Sequence, residues 1–202
     1  MTKTAFLLIF LICGTSVLRA QDSTWTEKAA AYQQHLNQEF SDPKTSPLDE
    51  ENIAVFEGLP FFDINEKLIF QAEFFRTPYE SPFVMETTTG RESIYVKYGE
   101  VYFTIDGKEY KLNVYQSQQL SSNPEYADYL FVPFTDLTNG KSTYGGGRYL
   151  DLHIPEGETV LLDFNRAYNP YCAYGEQYSC PVPPAENDLK IPIKAGVKYE
   201  KH

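Results

Sequence analysis

The chain has 202 residues, with 17 lysines and arginines against 28 aspartates and glutamates, and a formal net charge of −11. That length suits one domain with a sizeable core, and the acidic balance argues against nucleic acid and anionic lipid surfaces as partners. Three cysteines and three scattered histidines supply no metal-ligand spacing.

Residues 1–20 read as a secretory signal peptide. Lys3 precedes an apolar run from Ala5 to Cys13, and Ala20 stands before a polar sequence. The run is too short to span a bilayer. Cleavage after Ala20 would leave Gln21 first. The segment carries Lys3 and Arg19 but no acid, so its removal takes the charge to −13. The expected location is periplasmic or secreted, with no membrane contact after cleavage. A lipoprotein signal ending at Cys13 is disfavoured because Ile12 stands where a small residue is needed.

Residues 21–46 are expected to hold an N-terminal helix and a linker. Thr24 and Glu27 form a capping-box pattern, and Trp25, Ala29, Tyr32, Leu36 and Phe40 fall on one stripe of an amphipathic helix over 24–40. Gln33, Gln34 and Asn37 occupy the other face, with no basic row, which suits a lid on a sheet. The run Ser41 to Pro47, with two prolines, ends the helix.

Residues 47–202 read as a single β-rich domain. Aromatic and β-branched residues alternate at period two in strands expected at 67–75, 83–88, 92–98, 100–106, 109–115, 128–134, 147–154, 159–165 and 188–194. The fold class is mainly β, an antiparallel sandwich or open barrel with one N-terminal helix. A hairpin turns at Asp106 and Gly107 and, with Gly107 and Lys108 as its tight loop, sets Phe103 against Tyr110 and Val101 against Leu112. Pro192 makes the last strand an edge.

The segment 147–165 carries the sharpest candidate site. Leu150, Leu152 and Ile154 point one way and Tyr149, Asp151 and His153 the other, while Val160, Leu162 and Phe164 oppose Leu161, Asp163 and Asn165. If the two strands pair with apolar faces together, Asp151 lies directly opposite Asp163. Two facing carboxylates need water, an arginine such as Arg148 or Arg166, a shared proton or a bound cation. The solvated-face reading of both acids competes with this. The run Gly145, Gly146, Gly147 is read as a tight entry into the strand rather than a ligand cradle.

The proline-rich loop 165–187 is long enough to need pinning or a function. It brings Asn165, Asn169, Glu186 and Asn187 among several tyrosines, a composition suited to a small ligand or glycan. Cys172 and Cys180, both inside it, are expected to form a disulfide contributing roughly 2–3 kcal/mol.

Several motifs together resemble a known family. They are Val132-Pro-Phe-Thr-Asp-Leu-Thr-Asn-Gly, Thr143-Tyr-Gly-Gly-Gly-Arg-Tyr-Leu-Asp-Leu, Leu162-Asp-Phe-Asn-Arg-Ala-Tyr-Asn-Pro-Tyr-Cys-Ala-Tyr and Cys180-Pro-Val-Pro-Pro-Ala-Glu-Asn. From about Pro47 to Lys198 the chain resembles a bacterial family catalogued as domain of unknown function 1684, a resemblance that implies no activity. Asp188 departs from it, where many relatives have arginine. The residues present no nucleophile elbow, metalloprotease helix or phosphate loop, so a noncatalytic ligand-binding module of the cell envelope is favoured. The competing reading is a hydrolase using Asp151 and Asp163 as acid and base. No cofactor is indicated.

Overall fold

A computed structural model describes residues 24–199, so the expected signal segment, Cys13 and His202 lie outside the described residues. The first helix, α1 (Trp25–Ser41), opens on the expected capping box. The Glu27 amide donates to Thr24 Oγ1 at 3.2 Å and the Thr24 amide to Glu27 Oε2 at 2.7 Å. Ala29, Leu36 and Phe40 are buried, whereas Trp25 is 43% exposed and leaves the stripe. The polar side also works inward: Gln33 donates to the Asn165 carbonyl at 3.1 Å, and Asn37 accepts from the Leu59 amide at 2.8 Å. A short helix α2 (Glu50–Ala54), capped by Asp49, buries no residue and so left no periodic signal.

Eight strands follow: β1 (Ile69–Arg76), β2 (Phe83–Met85), β3 (Ser93–Ile105), β4 (Lys108–Ser117), β5 (Tyr129–Asp136), β6 (Arg148–His153), β7 (Thr159–Asp163) and β8 (Asp188–Leu189). They form one sheet in the order β6-β5-β4-β3-β1-β7, with β2 on β3 and β8 on β5. Apart from the parallel β5–β8 pair the pairing is antiparallel, and the sheet curls into a half-barrel, the open-barrel alternative of the two expected.

Three strand expectations change. The runs 92–98 and 100–106 are one strand, β3, whose register with β4 shifts between Lys97 and Gly99. Gly99 is there for close approach, since a Cβ on it would meet Phe74 Cζ and the Phe75 carbonyl at 2.7 Å. The hairpin has the expected Phe103–Tyr110 and Val101–Leu112 pairs, but Ile105 pairs with Lys108. Its loop is therefore Asp106-Gly107, both at positive φ, a two-residue turn suited to the strand twist. The run 188–194 yields only β8, and Ile193, Ala195 and Val197 bury themselves in an irregular segment instead.

The most consequential correction concerns β6 and β7, which do not pair. β6 pairs with β5, setting Leu152 against Leu130 and Leu150 against Val132, while β7 pairs with β1, setting Asp163 against Ile69. Matching apolar faces is a weak constraint when most strands alternate, and β5 satisfies it as well as β7 does. The short connection through Pro155 instead joins the two ends of the curled sheet.

Two buried side chains complete the frame. β4 and β5 would oppose Asn113 and Pro133 two residues from their Tyr115–Phe131 pair, but Pro133 has no N–H to offer. Asn187 fills the gap, accepting from the Asn113 amide at 2.8 Å and donating to the Asn113 and Pro133 carbonyls at 2.9 and 2.7 Å. On the core face of β6, Arg148 has no exposed surface. It pairs with Asp136 at 2.8 Å and donates to the Ile193 carbonyl at 2.7 Å and to that of Ala195. Gly147 precedes it at φ +93°, where a Cβ would meet the Phe134 carbonyl at 2.7 Å, so this glycine serves entry into the strand. Truncating Arg148 to Ala strands a buried Asp136 carboxylate and should cost about 3–5 kcal/mol in chemical denaturation. The double variant Arg148→Met with Asp136→Asn should recover part of that loss, and an Arg148→Ala protein as stable as the parent would contradict this role.

Candidate ligand cavity

The face of β5 and β6 turned away from the main core carries Tyr129 and Phe131 on one strand and Tyr149 and Asp151 on the other. Helix α1 and the loop after β7 lie over this face and leave a cavity of about 450 Å³. Tyr32, Leu36 and Glu39 line it from the helix, and Tyr168, Tyr171 and Tyr178 from the loop. The sheet side is one run of touching rings, with centroids 5.8 Å apart for Tyr95–Phe131, 4.7 Å for Phe131–Tyr149 and 5.7 Å for Tyr149–Tyr168. An antiparallel bridge between Tyr149 and Tyr168 ties the loop to β6.

Asp151 is the polar centre of this wall. Its Oδ1 accepts both the Tyr129 hydroxyl at 2.6 Å and the Tyr168 hydroxyl at 2.7 Å. Neither phenol uses Oδ2. No Lys, Arg or His nitrogen among the described residues comes within 4.0 Å of the carboxylate. Burial raises the Asp151 carboxyl above the ordinary range, and the two hydroxyls and the more distant Arg166 and His153 only partly oppose it. Burial likewise pushes the phenols of Tyr32, Tyr129, Tyr149 and Tyr168 up, so they stay neutral through the physiological range.

The other candidates from the sequence lie elsewhere. Arg148 faces the core and cannot reach Asp151, because residues 148 and 151 of one strand point to opposite faces. His153 is exposed and pairs with Asp128 at 3.1 Å. Asp163 caps the turn at the end of β7, accepting from the Asn165 amide at 2.9 Å and its side chain at 2.8 Å. Asn165 also exchanges hydrogen bonds with the Asn65 backbone at 2.7 and 3.1 Å. Asn169 donates to Tyr174 Oη at 3.2 Å and to the Lys198 carbonyl at 3.1 Å. Asn187 bridges β4 and β5, and Glu186 beside it is exposed. The acid pair is therefore not formed, and no group of three or more His, Cys, Asp or Glu among the described residues is arranged to hold a metal ion.

Tyr95, Tyr129 and Glu39 escaped the sequence reading as members of the cavity. The alternation Tyr129, Phe131 on β5 matches Tyr149, Asp151 on β6, and pairing those two strands first would have exposed the site. Cys172 and Cys180 sit at the rim, where Cys180 lines the cavity and its Sγ accepts from the Cys172 amide at 3.1 Å. The two are free thiols here.

The family described as "Protein of unknown function (DUF1684)" matches residues 54–198. The chain belongs to this DUF1684 family. A solved structure of the uncharacterized protein from gene locus rrnAC0354 of Haloarcula marismortui is similar to it at 31% identity with a TM-score of 0.67, covering 87% of this chain and 94% of that one. No curated protein matches. In this DUF1684 protein the sheet wall of the cavity falls within the family match, whereas Tyr32, Leu36 and Glu39 come from a helix that precedes it.

The Asp151 geometry has a direct consequence for stability. The folded state raises this carboxyl's titration, so the ionised group opposes folding fully above the raised value, and the opposition vanishes below the unfolded value near ~4. Asp151→Asn keeps an oxygen acceptor for both phenols and removes the charge. It should stabilise the unliganded protein at neutral pH by about 0.5–2 kcal/mol, with the gain shrinking as pH falls, measured by thermal melting across pH. A variant less stable than the parent at pH 7 would mean that the hydroxyls outweigh burial.

Proposed function

We propose that this DUF1684 protein is an exported, noncatalytic module that binds a small organic ligand in the cavity beneath α1. One observation carries the reading: a cavity of about 450 Å³ with aromatic walls has the Asp151 carboxylate on its sheet wall, with an Oδ2 that neither phenol engages. The volume falls in the range of ligand pockets, and apolar walls with few polar groups are their usual chemistry. Asp151 and Asp163 lie on strands at opposite ends of the sheet order, so a reaction built on that pair has no support. Export rests on the signal pattern of residues 1–20, which favours a periplasmic or secreted location.

In such a compartment Cys172 and Cys180 would close a disulfide at the cavity rim. A hydrogen bond from Cys180 holds the Cys172 thiol down to about 6, against the pull of burial, which favours the reactive thiolate. Intact mass of the mature protein should rise by two hydrogens on reduction, and identical masses with and without reductant would refute the bridge.

Binding is tested by thermal shift against a panel of amines, sugars and carboxylic acids, comparing the parent with Ser179→Trp, which puts an indole into the cavity wall. A ligand at 100-fold its Kd should stabilise the parent by about 2.7 kcal/mol and leave the variant unmoved. A panel that shifts neither protein, or both alike, would overturn the reading.

A further inference from the structure

The walls of the cavity also specify the charge of what it takes. Its lining holds two acids, Asp151 and Glu39, and no lysine or arginine. Nearby cations are already engaged. Arg166 stacks over the Tyr32 ring at 4.5 Å, and His153 pairs with Asp128 on the surface at 3.1 Å. Lys198 lies over Phe62, and Arg148 is committed to the opposite face of β6. Asp151 has no cation within 4.0 Å, and Arg166 and His153 offset its burial only in part, so a cation supplied from outside removes the remaining deficit.

The remaining surface suits the same guest. Ring faces attract an ammonium through their quadrupoles, and the attraction grows when the site is desolvated. The sheet wall presents three contiguous rings, Tyr95, Phe131 and Tyr149, and α1 and the loop add Tyr32, Tyr168, Tyr171 and Tyr178. Tyr149 donates its hydroxyl to the Pro181 carbonyl and Tyr129 and Tyr168 donate theirs to Asp151, so these phenols are not free to donate to a sugar. An anion would meet two acids and no base. The chain's net charge of −11 draws cations toward the surface.

We propose that the cavity selects a compact organic ammonium ion, its charge set against Asp151 Oδ2 and its alkyl groups against the tyrosine and Phe131 rings. This deepens the ligand-binding reading and rests on it. The groups that face Asp151 are Tyr129 from β5, Tyr32 from α1, and Tyr168 and Tyr171 from the loop, with Arg166 and His153 further off and Glu39 elsewhere on the cavity lining. Because the nearest phenols stay neutral, cation affinity follows ionisation of Asp151. It falls as pH is lowered, through a titration lying above the ordinary carboxylate range.

The experiment is calorimetric titration of the parent and Asp151→Asn with choline, ethylammonium and the uncharged choline isostere 3,3-dimethylbutan-1-ol, at several pH values. The expected result is binding of at least one ammonium ion at least about tenfold tighter than the neutral alcohol, corresponding to 1.4 kcal/mol. Asp151→Asn should abolish that margin while leaving the alcohol unaffected, and lowering the pH should erode it in the parent only. Choline against ethylammonium tells a quaternary guest from a primary one. If the alcohol or a sugar from the panel binds in the cavity as tightly as the better-bound of the two cations, the charge selection is wrong while the pocket reading stands. If no compound binds at all, both fall.

Discussion

Alternation along β6 is the constraint from which the rest follows. Successive side chains of a strand face opposite ways, so Arg148 falls on the core face with Leu150 and Leu152, and Asp151 on the other face with Tyr149. Arg148 spends its charge on Asp136 and on two carbonyls of the C-terminal run, which holds Ile193 and Ala195 against the core without a strand ladder. The same geometry denies Asp151 the arginine three residues before it in sequence. One strand thus carries an ion-paired charge on one side and, on the other, a carboxylate held by two phenols with no cation within 4.0 Å, and that carboxylate faces a cavity.

The three asparagines of the long loop region show a second economy. A primary amide offers the same donor and acceptor as a peptide group, so a buried asparagine can stand in where two backbone segments fail to meet. Asn187 completes the ladder that Pro133 interrupts, Asn165 joins the end of β7 to residue 65, and Asn169 holds the Lys198 carbonyl. As a result, the loop is rigid enough to place Tyr168 against β6 and to set Tyr171 and Tyr178 along the cavity. Its polar residues build the wall, and its aromatic residues line it.

Stability and the proposed binding oppose each other at Asp151. Packing α1 and the loop over the sheet strengthens the aromatic contacts but takes the carboxylate partly out of water. Proteins tolerate such a site where function needs it, and the rest of the fold supplies the compensating burial. The helix that closes the cavity starts before the family match, so the lid and the sheet wall of this DUF1684 protein meet from different parts of the chain.

Much of the architecture is written locally. The capping box at Thr24, the β3–β4 register, the turn at Asp106-Gly107 and the inward set Leu150, Leu152 follow from period, propensity and turn chemistry, which involve only near neighbours. Alternation also placed Tyr149 and Asp151 on one face. Which strand lies beside β6 is a different kind of question, because several strands offer equally apolar partners and only closure of the curled sheet chooses among them. That choice separated Asp151 from Asp163, turned the asparagines into backbone partners and brought Tyr129 to Asp151. The residues of the cavity were thus fixed one by one in the sequence, but their meeting was decided by long-range pairing, in which a match of apolar faces is necessary and never sufficient.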